Sequence, residues 1–211
     1  MDQLDTLSEI IQAEFEQTST ARDQAYQRSR ALISLCARAI RAIHREEWET
    51  ADSLIVQALT AANTLVEGVR QYPALYFAGY TQDAMKEFVE ANLTYALIRN
   101  KSLPSPEALG VESNTWLNGL AEAATELRRR ILDIIRHGHS DEAERLLDNM
   151  DQIYSILVTF DFNDSITGGL RRRTDTVRAV LERTRGDVTT SLRQAQLEEA
   201  LEALETVIGK Q

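Results

Sequence analysis

Breaks are scarce in this chain. Its 211 residues include only 9 Gly and 3 Pro. Between those few, apolar residues recur at intervals of three and four, the period of a helix with one buried face. The first such stretch runs over residues 2–47. Leu4, Leu7, Ile11 and Phe15 form a stripe that Leu32, Cys36, Ile40 and Ile43 continue, with the polar run Gln17-Thr18-Ser19-Thr20 as a candidate bend. A second helix is expected over 48–71, ended by Pro73, because the residue before proline resists helical geometry. A third covers 74–100. Ser105 and Pro106 are suited to cap and open a short helix that stops at Gly110. A fourth helix spans 114–136 and closes at Gly138. Ser140 caps a fifth, with Asp141 and Glu142 in the first turn where the helix dipole favours anions. After the loop 161–164 and Gly168-Gly169, a sixth runs to about 185. Gly186-Asp187 then resets the chain for a seventh over 188–208. No stretch alternates as a strand would. The fold class is all-α, in a single domain over 1–211.

Charge narrows the partners. The net charge is −10, so a polyanion would need a local basic patch on a repulsive background. Only Lys86, Lys101 and Lys210 are lysines; the remaining cations are arginines, which suit fixed contacts to phosphate or carboxylate. The single Cys36 excludes an internal disulfide, and its apolar neighbours Ile33, Leu35 and Ile40 place it in the core. A reducing, cytoplasmic setting is the default for such a chain. The acidic start, Met1-Asp2-Gln3-Leu4-Asp5, lacks a signal-peptide pattern. No apolar run approaches the roughly 20 residues that span a bilayer, so no membrane association is expected.

Four glutamates stand out. Glu87 and Glu90 lie three apart in Lys86-Glu87-Phe88-Val89-Glu90-Ala91. Glu122 and Glu126 lie four apart in a second helical run. Each spacing puts both acids on one helix face. Brought together, the pairs would offer oxygen ligands to a hard cation such as Mg²⁺, a geometry suited to phosphodiester hydrolysis. The competing reading is a solvated face. Met85, Phe88, Val89, Leu93, Ala96 and Leu97 form the apolar stripe of the first helix, and at about 100° per residue its glutamates fall opposite. Leu117, Leu120, Ala124, Leu127, Ile131 and Ile134 form that of the second. Periodicity marks both pairs as polar-face residues. It does not distinguish bulk water from a shared cavity.

The order of several strings resembles the translin and translin-associated factor X (TRAX) family. They are Lys86-Glu87-Phe88-Val89-Glu90-Ala91; Leu103-Pro104-Ser105-Pro106-Glu107-Ala108-Leu109-Gly110-Val111; Gly119-Leu120-Ala121-Glu122 leading to Glu126-Leu127-Arg128-Arg129; Ile153-Tyr154; and Gly169-Leu170-Arg171-Arg172-Arg173-Thr174-Asp175. The resemblance covers roughly 31–201. It implies a seven-helix bundle of the translin type, assembling into a hollow, roughly octameric shell that binds single-stranded RNA or DNA. The TRAX branch is a Mg²⁺-dependent endoribonuclease with an acidic site facing the interior, whereas the translin branch binds nucleic acid and lacks the full acidic set. On this resemblance Glu87, Glu90, Glu122 and Glu126 are the catalytic, metal-holding acids. Glu122 stands where the family has aspartate, and Lys86 where it has glutamine. Four acids place the chain nearer the catalytic branch.

Three arginine groups are candidates for RNA phosphate: Arg38, Arg41 and Arg45; Arg128 and Arg129, with Arg130 beside them; and Arg171, Arg172 and Arg173. Exposed arginines more often make surface ion pairs of little energetic consequence. Tyr76, Phe77 and Tyr80 are suited to stack on bases, with a buried aromatic cluster as the plainer reading. His44, His137 and His139 show no ligand spacing with one another. The expected function is a Mg²⁺-dependent (or Mn²⁺-dependent) single-stranded-RNA endoribonuclease working inside a homo-octameric shell. The alternatives are a non-catalytic binder of single-stranded RNA or DNA and an all-α nucleotide pyrophosphohydrolase.

Overall fold

The computed structural model describes residues 2–208 and is built from helices, with no strand among the described residues. The long ones are α1 (Asp2–His44), α2 (Trp48–Val69), α4 (Gly79–Ile98), α6 (Ser113–Ile135), α7 (Asp141–Leu157) and α9 (Leu170–Ile208). Three four-residue turns intervene: α3 (Pro73–Tyr76), α5 (Pro106–Leu109) and α8 (Asp164–Thr167). The all-α class expected from the sequence is the one observed. The chain divides into two compact units: Met1–Asn92 with Pro106–Val111, and Leu93–Ser105 with Glu112–Gln211.

In the first unit α1 packs on α2. The buried residues of α2 are Ala51, Leu54, Ala58, Ala62, Leu65 and Val69, and those of α1 include Ala25, Ser29, Leu32, Cys36, Ala39 and Ile43. Both sets step by three and four, the spacing of a helix–helix seam. Small residues at several of these steps, Ala51, Ala58 and Ala62 on α2 and Ala25, Ser29 and Ala39 on α1, let the backbones approach closely. Glu46, at φ 58, turns the chain between the two helices. The helices differ in length, 43 residues against 22, or about 65 Å against about 33 Å at the α-helical rise. The near end of α1 is therefore covered and its far end overhangs. Leu4, Leu7, Ile10, Ile11 and Phe15 are all exposed. The stripe expected to run the whole length of α1 is a core stripe only in its second half.

The expected third helix is interrupted. Thr81 Oγ1 donates to Leu75 O at 2.7 Å and Gln82 Nε2 donates to Tyr76 O at 2.8 Å. These side chains satisfy the carbonyls at the end of α3 and let α4 restart at Gly79.

In the second unit α6, α7 and α9 pack against one another in all three pairings. Ser140 caps α7, accepting from Ala143 N at 3.4 Å, as the sequence indicates. Arg145 reaches from α7 to the last carbonyls of α4, donating to Leu97 O at 3.0 Å and Ile98 O at 3.2 Å. Trp116 Nε1 donates to Pro104 O at 2.9 Å, which ties the segment after α4 to α6.

The expected break at Gly186 does not occur, so the sixth and seventh helices are one. A lone glycine weakens a helix interior by about 1 kcal/mol relative to alanine but does not end it where packing continues across it. Val177, Leu181, Thr184 and Val188 are buried on one face that spans the glycine. Asp187 is held by Arg128 at 2.8 Å. Beyond Ala195 the helix emerges, and Leu197, Leu201, Leu204 and Ile208 are exposed. No helix among the described residues is long and apolar enough to cross a membrane.

These two glycine sites should respond oppositely to alanine. Nothing lies within 4 Å of a Cβ at Gly186, so Gly186→Ala should stabilise the protein by about 0.5–1 kcal/mol. Gly168 sits at φ 63 with Asn118 Nδ2 only 3.3 Å from a Cβ. Gly168→Ala should destabilise it by about 1–2 kcal/mol. Thermal or urea unfolding of the two variants reads both signs.

Candidate acidic site

Glu87 and Glu90 sit on α4 within the first unit, on the face that looks at α1. Tyr26 of α1 and Tyr80 of α4 meet edge to face, with centroids 5.8 Å apart. Farther along both helices Cys36 feels the charges of Glu87 and Glu90. Ascending residue numbers thus pair with ascending ones, and α1 and α4 run in the same direction. Glu90 is only 7% exposed, and Glu87 is half-buried. The polar face read from periodicity is therefore not a solvated one on this helix. Lys86 lies beside the pair, its Nζ 3.4 Å from Glu87 Oε1.

Glu122 and Glu126 sit on α6 within the second unit, one turn apart and both half-buried. Glu122 Oε1 accepts from Arg173 Nε at 3.0 Å. Arg173 Nη1 also donates to Asn118 Oδ1 at 3.0 Å and to Gly168 O at 3.3 Å. Asn118 is 5% exposed, and its Nδ2 donates to Asn114 O and Thr167 O, each at 2.7 Å. The turn that makes this possible uses Gly168 at φ 63 and Gly169 at φ 80. It carries the chain from α8 into α9 so that the third arginine of the run faces α6.

The arginine groups divide by environment. Arg128 donates to Thr184 Oγ1 at 3.0 Å and pairs with Asp187 at 2.8 Å. Arg130 grips Glu142 with two nitrogens, at 3.1 and 3.2 Å. Arg173 is held as described. Arg129, Arg171 and Arg172 are exposed, as are Arg38, Arg41 and Arg45 on α1. Arg45 lies 3.9 Å from Glu47, a loose contact across two exposed side chains.

No family model matches the chain. An uncharacterized protein of Methanocaldococcus jannaschii is 28% identical over 197 residues, covering 91% of this chain and 86% of that protein. Among solved structures, archaeal AfC3PO in complex with duplex RNA is similar at 31% identity and a TM-score of 0.83, over 88% of this chain and 96% of that one. AfC3PO alone gives 31% and 0.82, over 88% and 97%. Apo-NeC3PO, from Neurospora, matches at 24% and 0.79 over 90% and 98%, and speaks for the fold alone. The chain belongs to the translin/TRAX family.

Two further residues of this translin/TRAX chain were misread or missed by pattern. Phe77 is not buried but 63% exposed, stacked edge to face on Tyr76 with centroids 4.9 Å apart. Cys36, read only as core, also lies beside the acidic pair. Burial, then the charge of Glu87, then that of Glu90, raise its thiol pKa from 9.0 to about 12. The folded thiol keeps its proton where an unfolded one loses it. Its contribution to stability is therefore intact below about pH 9 and is lost as pH rises toward about 12. Cys36 should resist iodoacetamide in the folded protein at mildly alkaline pH and react once denatured. Cys36→Ala should flatten the alkaline loss of stability. Mass spectrometry and unfolding curves across that range check both.

Proposed function

We propose that this chain is a divalent-metal-dependent endoribonuclease acting on single-stranded RNA, with one translin-like domain over 1–211. The observation that carries the reading is the acidic set itself: Glu90 buried on α4 beside Glu87, and Glu122 held by Arg173 on α6. A carboxylate withdrawn from water is costly unless hydrogen bonds or an opposite charge meet it. All of these donors are oxygens of the hard kind that Mg²⁺ and Mn²⁺ prefer. In this reading, which follows the family resemblance, Glu87 and Glu90 supply metal ligands from the first unit and Glu122 and Glu126 from the second. When bound, such a cation polarises the phosphodiester and activates water. The chain's own part is to fix the acids and to attract the RNA backbone. The exposed arginines Arg38, Arg41, Arg45, Arg129, Arg171 and Arg172 suit the second task. The relative AfC3PO is described with duplex RNA, which supports RNA as the ligand class and makes duplex the necessary comparison.

The shell reading enters here too. Leu197, Leu201, Leu204 and Ile208 step by four, three and four along the exposed end of α9, a seam suited to a second copy. We propose a homo-oligomer, an octamer by family analogy, with single-stranded DNA as a second ligand.

One observation favours a binding-only protein. Lys86 places an ammonium against Glu87 at 3.4 Å, where it competes with a metal ion for that carboxylate.

Incubation of labelled single-stranded and duplex RNA with Mg²⁺, Mn²⁺ or EDTA decides between the readings. Cleavage is expected with either metal and none in EDTA. Glu90→Gln or Glu126→Gln should reduce it by about 100-fold or more, since losing even an outer partner of a metal ligand costs about 10–100-fold. Assembly and RNA binding should persist. Binding without cleavage under every condition would leave the binding-only reading. RNA affinity should fall as salt rises, with a slope reduced by substituting Arg171 and Arg172. Light scattering that finds a stable monomer at micromolar concentration would remove the shell.

A further inference from the structure

Arg173 belongs by sequence to a run of three arginines, but its surroundings differ from those of the other two. Arg171 and Arg172 are exposed. Arg173 instead makes three hydrogen bonds: to Glu122 Oε1 at 3.0 Å, to Asn118 Oδ1 at 3.0 Å and to the carbonyl of Gly168 at 3.3 Å. Its acceptors come from a neighbouring helix and from the turn before its own helix. One of them, Asn118, is itself locked by two 2.7 Å bonds to Asn114 O and Thr167 O. The guanidinium plane is thus fixed from more than one side before Glu122 is considered.

Glutamate has three side-chain torsions, and an unheld carboxylate at its end samples several orientations. A planar donor pinned by other groups removes that freedom. Arginine also stays charged at every pH at which the protein is folded, so the hold does not lapse. A lysine at 173 would keep the charge but could not serve three acceptors lying in a fork.

We propose that Arg173 is a positioning residue, which fixes the Glu122 carboxylate in the orientation the acidic site uses, and is not a contact to RNA phosphate. This rests on the reading that Glu122 helps hold the divalent cation.

The test compares the assembled parent with R173M, R173K, E122D and the R173M/E122D double variant. Four quantities are read: kcat and KM for single-stranded RNA, Mn²⁺ affinity by calorimetry without RNA, RNA affinity in EDTA, and thermal stability. R173M should lower kcat and Mn²⁺ affinity by about 10–100-fold, while KM and RNA affinity in EDTA stay unchanged. R173K should recover only part of the loss. E122D shortens the acid by one carbon–carbon bond, about 1.5 Å, and so breaks the 3.0 Å contact. It should behave like R173M, and the double variant should be no worse than the weaker single.

Three results would overturn the proposal. Weaker RNA binding in EDTA with kcat intact would make Arg173 a phosphate contact. Reduced stability with kcat and Mn²⁺ affinity intact would make it only a staple between α6 and α9. Additive losses in the double variant would uncouple it from Glu122. If R173M does not assemble, R173K, which keeps the charge, carries the same comparisons. A parent that neither cuts nor binds Mn²⁺ defeats the functional reading and this proposal together. A parent that does both, beside an unaffected R173M, defeats this proposal alone.

Discussion

An ionised carboxylate withdrawn from water costs several kcal/mol unless charge or hydrogen bonds meet it, and Glu90 is withdrawn almost completely. The same cost bears on the half-buried acids of each unit by itself. Lys86 turns back along α4 toward Glu87. Arg173 crosses from α9 to Glu122. Cys36, facing two negative charges, is driven further toward its neutral form than burial alone would take it. The positions where this chain concentrates negative charge away from solvent are those where cations or protons are retained. Glu67 has Arg70 at a similar 3.5 Å, but there both side chains are exposed and the pair contributes little.

Within each unit, small residues make the framework possible. Ala51, Ala58 and Ala62 on α2 allow α1 to come close. In the second unit the same task falls to the turn at Gly168, whose missing side chain lets Asn118 approach. Backbone permissiveness there is converted into side-chain order at Glu122.

The helical class was legible from the scarcity of Gly and Pro and from the three–four spacing, because both are local properties. Ser140 as a cap was legible for the same reason. Local signals failed where a distant partner decides. Gly186 reads as a stop, but the buried face of Val177, Leu181, Thr184 and Val188 carries the helix through. Leu4 to Phe15 read as core, but α2 is too short to cover them. The acids were found by spacing and resemblance, while the burial of Glu90 was not, since periodicity assigns a face and not its surroundings. Arg173 was grouped with Arg171 and Arg172 because nothing in a run of identical residues marks the one whose partner lies 51 positions away.

The overhang of α1 has a consequence for how the molecule keeps time with solvent. Residues 3–17 are exposed along every face, so their backbone hydrogen bonds draw little support from tertiary packing. A helix of that length is marginal in water by itself. Its amides in a lone chain should exchange with deuterium at rates set by fraying, far faster than those of the covered half from Ala25 to Ile43. Any copy or ligand that settles on Leu4, Leu7, Ile11 and Phe15 would slow that exchange. The free end of the longest helix is thus a built-in clock whose rate reports whether the surface is covered.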